Sequence, residues 1–316
     1  MAKVNGVCGP IDTAQLGFTL MHEHVLIANW SMRQAFGSRW LDRDAHVRFA
    51  VGEARAARER GVRTIVDLTP LNLGRDIDVI RQVAEQSEMQ IIAATGFYWV
   101  EEPWLQGWEA DRLVEFLVKD ITDGIQGTPA KAGIIKAATD HLGVTDLNKK
   151  LLQVAARLHR ATGVPISTHT DVHRHTGIAQ QDVFESEGVD LSRVVIGHCG
   201  DTEDVEHLER ILARGSFIGM DRFGLDFMLP MEKRVATIAE LCRRGKVNQL
   251  VLSHDACCHI DWFPKEMVKQ LAPRWTFRHI PDDVLPALRA AGVSEAHVRT
   301  MTVDNPRRVF ERQGTY

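Results

Sequence analysis

The sequence predicts an α/β protein built as one (β/α)8 TIM barrel. Three observations lead there. Eight short apolar or β-branched runs follow one another along the chain, segments of helical periodicity separate them, and the residues costliest to bury stand at the C-terminal ends of the runs. Nearly continuous apolar runs suit strands buried on both faces of a parallel sheet. Strand–helix alternation repeated eight times closes most simply into a barrel. An open, doubly wound sheet is the alternative, but no GxGxxG turn follows the first run.

Taken in order, residues 1–17 read as a cap strand or hairpin. The eight runs are Phe18–His24, Thr64–Leu68, Gln90–Gly96, Gly133–Ala138, Val164–Thr170, Arg193–His198, Ser216–Asp221 and Leu250–Asp255. In TDLNKKLLQVAARLHRATG, Leu147, Leu151, Val154, Ala155 and Leu158 fall on one helical stripe and Gly163 ends it. EDVEHLERILARG and MEKRVATIAELCRRG each close on basic residues and a glycine, which suit a helix C-terminus. Residues 256–280 read as one long loop after the eighth strand, and 281–316 as helical. With no low-complexity linker and no internal repeat, residues 1–316 read as a single domain.

Composition sets the outer limits. The chain has 316 residues, 44% hydrophobic and 25% charged, which is ordinary for a globular protein. A formal net charge of -4 argues against a nucleic-acid surface. No apolar stretch approaches the roughly 20 residues that span a bilayer. MAKVNGVCGPIDTAQ has no apolar signal core, so the expectation is a cytoplasmic protein with no membrane partner. Cys8, Cys199, Cys242, Cys257 and Cys258 are odd in number and lack zinc-site spacing, which reads as reduced thiols.

The chemistry lies in the placement of the histidines. The first run ends in His22-Glu23-His24, and residues two apart on a strand share a face, so His22 and His24 can hold one divalent cation. Lys136 falls in the fourth run, His169 in the fifth, His198 in the sixth and Asp255 in the eighth. Active sites of such barrels collect at that end of the strands. We place one cation on His22, His24 and Asp255 and a second on His169 and His198. A buried lysine is partly neutral. Its amine can add carbon dioxide, and N6-carboxylated Lys136 would bridge the two cations. The alternative for Lys136 is a salt bridge to Asp255. Two such cations lower the pKa of a shared water and polarise a C=O or P=O bond, and Asp255 is placed to accept the water's proton. Imidazole and carboxylate ligands suit zinc, iron, cobalt or manganese.

The segments GFTLMHEHV, AGIIKAATD, ISTHTD, GVDLSRVVIGHCGDTED, GSFIGMDRFGLD, LSHDACCHIDW, APRW and DNPRRVF resemble the phosphotriesterase family of the amidohydrolase superfamily, and within it the phosphotriesterase-like lactonases. They keep that family's order from Ile11 to about Phe310. The resemblance implies the same binuclear assignment and a homodimer. It further implies that Asp201 relays the proton from Asp255, that Arg222 stands at the substrate mouth, and that the Tyr98 hydroxyl leans over the cations. Val100 and Ala256 depart from the pattern, since aromatic residues are common at both positions. His173 and His175 read as solvated loop residues.

Large apolar residues crowd the segments after the strands. Trp99, Trp104 and Trp108 follow the third, Phe223, Phe227 and Met228 the seventh, and Trp262, Phe263 and Trp275 the eighth. Together they imply a small-molecule mouth for an acyl chain or aryl group, with Trp262 among its substrate contacts. Arg222 is the one clear cation for a phosphate, so a phosphomonoester is not expected. The reading is a lactonase for lipophilic lactones, including the N-acyl homoserine lactones of quorum quenching, with promiscuous phosphotriesterase activity. A dedicated organophosphate triesterase (an aryldialkylphosphatase) is the alternative among enzymes. A non-catalytic binding protein on the same fold is the alternative from another class, and the presence of all six ligands argues against it.

Overall fold

The computed structural model describes residues 2–311 and 314–316. Strands β1 (Lys3–Gly6) and β2 (Gly9–Asp12) pair as an antiparallel hairpin. The barrel strands follow: β3 (Phe18–His24), β4 (Val62–Asp67), β5 (Gln90–Gly96), β6 (Ile134–Ala138), β7 (Ile166–His169), β8 (Val194–Ile196), β9 (Phe217–Met220) and β10 (Leu250–Leu252). Each pairs parallel with the next, from β3 through to β10. A two-residue strand, β11 (Ala256–Cys257), continues past β10 and pairs parallel with Glu23 and His24 of β3, which brings the last strand back to the first. The fold is therefore a (β/α)8 barrel.

Glu23 fastens that closure. It faces away from His22 and His24 and is fully buried. Its Oε1 accepts from Ser253 Oγ at 2.7 Å and His254 Nδ1 at 2.6 Å, and its Oε2 from Ala256 N at 2.9 Å. A buried carboxylate is tolerable only when its lone pairs are met in this way.

The helices lie between the strands as the periodicity predicts. Asp146–Thr162 is N-capped by Thr145, whose hydroxyl accepts from Asn148 N, and it ends at Gly163 with φ +74°. Its predicted stripe is buried throughout. The barrel's lower end is plugged by Val4 of the hairpin, Leu16, and Val309 and Phe310 of the C-terminal helix Asn305–Glu311, packed on Val66, Ile134 and Val251 of the barrel strands. That apolar plug leaves the opposite end for chemistry.

Several strands are shorter than predicted, and the reason is local. β8 stops at Ile196 and β10 at Leu252 because the residues that turn inward leave the ladder: His198 has φ +58° and Asp255 φ +55°. Both positions are costly for a side chain with a Cβ and persist where surrounding contacts dictate them. The stretch 256–280 is not a plain loop; it holds β11 and the helix Lys265–Leu271. Residues 281–316 are largely helical as predicted, with two π-helical segments, Ile280–Val284 and Thr300–Asp304; Arg312 and Gln313 lie outside the described residues. Among the described residues, no helix is long and apolar enough to cross a membrane.

Candidate metal centre

The upper end of the barrel gathers six residues from five strand ends around one point. Asp255 Oδ1 lies 3.0 Å from His24 Nε2 and 3.2 Å from His22 Nε2. Lys136 Nζ lies 2.9 Å from His22 Nε2, and His198 Nε2 lies 2.8 Å from His169 Nδ1. Asp255 Oδ2 is 3.8 Å from His198 Nε2. His22, His24, Lys136, His169 and His198 are all less than a twentieth exposed. Among the described residues, His22, His198 and Asp255 form a group whose ligand atoms lie within 4.8 Å of one another.

The outward nitrogen of each imidazole is committed elsewhere. Asp221 takes two of them: its Oδ2 accepts from His22 Nδ1 at 2.8 Å and its Oδ1 from His198 Nδ1 at 3.0 Å. His24 Nδ1 meets Thr69 Oγ1 at 2.8 Å, and His169 Nε2 donates to Asp140 Oδ2 at 2.6 Å. The carboxylate partners assign the protons of His22, His198 and His169 outward. Burial lowers the pKa of His22, to about 4, and of His169 and His198 as well, so the rings stay neutral. His198 and His169 then aim two lone pairs at each other across 2.8 Å. Such an arrangement calls for a Lewis acid, and neutral imidazoles with oriented outer protons are what a divalent cation needs. The donor set fits metal.

Asp255 and Lys136 complete the set. Burial pushes the Asp255 carboxyl up, but His22, His198, the His24 hydrogen bond and Arg222 outweigh it and hold the group well below the usual carboxylate range. Burial pulls the Lys136 ammonium down to about 8, against the opposing pull of Asp255 and Asp221. Lys136 makes no salt bridge to Asp255 or to any other carboxylate among the described residues, so that alternative is not what the structure shows. Its nearest polar partner is His22.

Around the cluster stand the residues expected at the mouth. Tyr98 Oη lies 3.3 Å from His169 Nδ1, and its ring leans on Trp262 with centroids 5.9 Å apart. Arg222 Nε donates to Asp255 Oδ2 at 3.2 Å and its Nη1 to Asp201 Oδ2 at 2.8 Å. Asp201 has no hydrogen bond to Asp255, because Arg222 stands between them. A guanidinium cannot be deprotonated near neutrality, and here Asp201 and Asp255 raise its pKa further against the opposing effect of burial. The geometry thus gives no direct proton path from Asp255 to Asp201.

A cavity of about 420 Å³ opens over the cluster. Phe227, Met228, Trp262, Phe263 and Trp275 line it, together with Tyr98 and Arg222. Trp99, Trp104, Trp108 and Phe223 do not: Phe223 is core, Trp108 packs on Phe116, and Trp104 packs on Phe97. His173 and His175 are both exposed, as expected of loop residues, and His175 also meets His207 with their Nδ1 atoms 3.0 Å apart. Asp221, Asp140 and Thr69 are functional partners that the sequence reading did not single out.

Comparison with known proteins agrees with this geometry. The Phosphotriesterase family profile matches residues 2–310. A phosphotriesterase homology protein of Mycobacterium tuberculosis is 47% identical over 325 residues, covering 100% of both chains. The aryldialkylphosphatase of Saccharolobus solfataricus is 38% identical over 304 residues, covering 95% of this chain and 96% of its own. The solved structure of the phosphotriesterase from Mycobacterium tuberculosis superposes with a TM-score of 0.96 at 47% identity, covering 99% of this chain and 100% of that one. A match over nearly the whole length, on a barrel with this donor set, settles the relationship: the chain belongs to the phosphotriesterase family of hydrolases.

Proposed function

We propose that this protein is a binuclear metal-dependent lactonase that opens uncharged, lipophilic lactones, N-acyl homoserine lactones among them, and hydrolyses aryl phosphotriesters as a weaker second activity. The supporting observation is the cavity. Apart from Lys136 within the cluster, its one lining lysine or arginine among the described residues is Arg222, whose charge is matched by Asp255 on Nε and Asp201 on Nη1. No free cation waits for an anionic substrate, while the apolar wall suits an acyl chain or aryl group.

His22, His24 and Asp255 would hold one divalent cation, zinc being the first expectation, and His169 and His198 the other. Lys136 would lie between them as N6-carboxylysine: the neutral amine adds carbon dioxide, a C–N bond forms, and the amine proton leaves to solvent. When bound, the cations supply Lewis acidity toward a carbonyl or phosphoryl oxygen and lower the pKa of a water. The protein does the rest. Asp255 accepts the proton from the attacking water, Tyr98 Oη donates a hydrogen bond to the substrate ring, and the aromatic mouth excludes solvent.

The test is a hydrolysis panel on metal-loaded enzyme, with lactones of graded acyl length, linear aryl esters and paraoxon. The expected order of kcat/KM is lipophilic lactone above aryl ester above paraoxon. Paraoxon ranking first would establish the dedicated phosphotriesterase instead, a reading that the name of the Saccharolobus relative favours. Activity on none of them would remove both the lactonase and the phosphotriesterase readings.

Tyr98 separates the two enzymatic readings. Tyr98→Phe should lower lactonase kcat/KM by roughly 10- to 100-fold, about 1.4–2.7 kcal/mol for one directed hydrogen bond. An aryl phosphotriester has no lactone ring to position and a better leaving group, so its hydrolysis should fall much less. Equal losses on both substrates, at equal metal content, would assign Tyr98 to the metal centre through His169.

A further inference from the structure

Arg234 is among the largest fully buried side chains, 1% exposed, in the first turn of the helix Met231–Arg243 that follows β9. Its Nη1 donates to Gly200 O and to Asp201 Oδ1, both at 2.7 Å, and its Nε to Leu229 O at 2.9 Å. It thereby ties the turn after β8, which carries Asp201, to the segment after β9, which carries Arg222, Phe227 and Met228. Asp201 passes the connection on. Its second oxygen accepts from Arg222 Nη1, and Arg222 Nε donates to Asp255 Oδ2. Arg234, Asp201, Arg222 and Asp255 form one unbroken file of alternating charge.

We infer that Arg234 is a positioning residue for the reaction at Asp255, acting through Asp201 and Arg222. Asp255 Oδ1 is held by His22 and His24, but the nearest imidazole to Oδ2 is His198 at 3.8 Å, so Arg222 at 3.2 Å is what fixes the carboxylate's rotation. Arg222 is in turn held by Asp201, and Asp201 by one charge-assisted hydrogen bond from Arg234 Nη1, whose guanidinium is itself fixed by Gly200 O and Leu229 O. Removing a buried member leaves its partner with an uncompensated charge, so the file holds or slackens as a unit. Gly200 belongs to the same device, because a Cβ there would lie 3.3 Å from Arg234 Nη1. The file transmits orientation and not a proton, since two of its members are guanidiniums.

This inference rests on the hydrolytic reading above, and its test separates the two. Wild type, Arg234→Met, Arg222→Met and the double variant are loaded with Co2+. kcat and KM are measured on whichever neutral lactone or aryl phosphotriester wild type hydrolyses, and the visible absorption of the bound Co2+ reports on Asp255 without substrate. Arg234→Met should lower kcat by about 10- to 30-fold with KM changed less than about twofold, the signature of misplacement near the reacting atoms. It should shift the Co2+ bands in the direction that Arg222→Met shifts them. Both effects should disappear in the Arg222→Met background, because residues acting in one file are not additive. Additive losses in the double variant, or unchanged kcat and bands in a folded Arg234→Met, would overturn the inference. Should Arg234→Met fail to fold, Asp201→Asn cuts the next link and runs through the same cycle. If wild type hydrolyses no substrate offered, the functional reading fails, and the band shifts and their non-additivity still decide the role of Arg234.

Discussion

Lys136→Ala is expected to lower kcat/KM on the order of 1,000-fold, about 4 kcal/mol of transition-state stabilisation. Lys136 is 1% exposed, with its amine 2.9 Å from His22 Nε2 and no carboxylate paired to it among the described residues. Burial brings its pKa down to about 8, which leaves a substantial neutral fraction near neutrality. Only the neutral amine adds carbon dioxide, so carboxylation should proceed faster as pH rises through 8 and slow as pH falls below it. If Lys136 carries the proposed carbamate, the alanine variant loses an oxygen ligand and opens space of nearly its size, so acetate or propionate at millimolar concentration should restore part of the activity. Mass spectrometry under native, bicarbonate-buffered conditions should show a 44 Da adduct in wild type and none in Lys136→Ala. An unmodified ammonium beside two tightly bound cations would refute the carbamate, and a variant that keeps full activity would remove Lys136 from the site.

The sequence displays the six cluster residues because their signal is local. His22 and His24 alternate on one strand, and Lys136, His169, His198 and Asp255 each interrupt or end an apolar run, where a costly side chain stands out against its neighbours. The alternation of strands and helices is equally local, and every predicted strand is present. The strand ends were harder to read, because His198 and Asp255 leave the ladder through positive φ, a backbone choice that no apolar pattern records. Partners that arise only in three dimensions were hidden. Asp221 meets His22 across 199 positions and Arg234 meets Asp201 across 33, and aspartates and arginines are too common along the chain for either to stand out.

Asp201 shows where adjacency in sequence stops short of a direct contact. It follows His198 by three residues and the resemblance gives it a share in proton transfer, yet the side chain that reaches Asp255 is Arg222. The aromatic residues divide in the same way. Trp262, Phe263 and Phe227 line the cavity, while Trp104 and Trp108 lie outside it, exposed and packed on Phe97 and Phe116. Counting large apolar residues after a strand locates a mouth without saying which of them face it.

Asp221→Asn should weaken metal binding more than any other change outside the ligands themselves. One carboxylate serves two ligands: Oδ2 accepts from His22 Nδ1 at 2.8 Å, and Oδ1 from His198 Nδ1 at 3.0 Å and from His198 N at 2.7 Å. Both oxygens are acceptors, so both imidazoles must keep their protons on Nδ1 and turn their Nε2 lone pairs inward. An asparagine of the same shape has one oxygen and one NH2. Whichever way it sits, the NH2 faces an Nδ1–H, and that ring must rotate away or move its proton to Nε2, where it blocks the lone pair. His22 belongs to the proposed first cation and His198 to the second, so one substitution disturbs both sites. A lost outer partner costs roughly 10- to 100-fold in metal affinity or activity, and two ligands sharing one partner place the expected loss of activity at limiting metal at about 100- to 10,000-fold. Saturating metal should recover much of it, because the ligands remain. Competition with a chromophoric chelator gives the affinities, and kcat/KM is measured across the same metal titration. Unchanged affinity with unchanged kcat/KM would show that Asp221 merely fills space between two histidines, and a loss that excess metal fails to relieve would place its effect on the reaction and not on the metals.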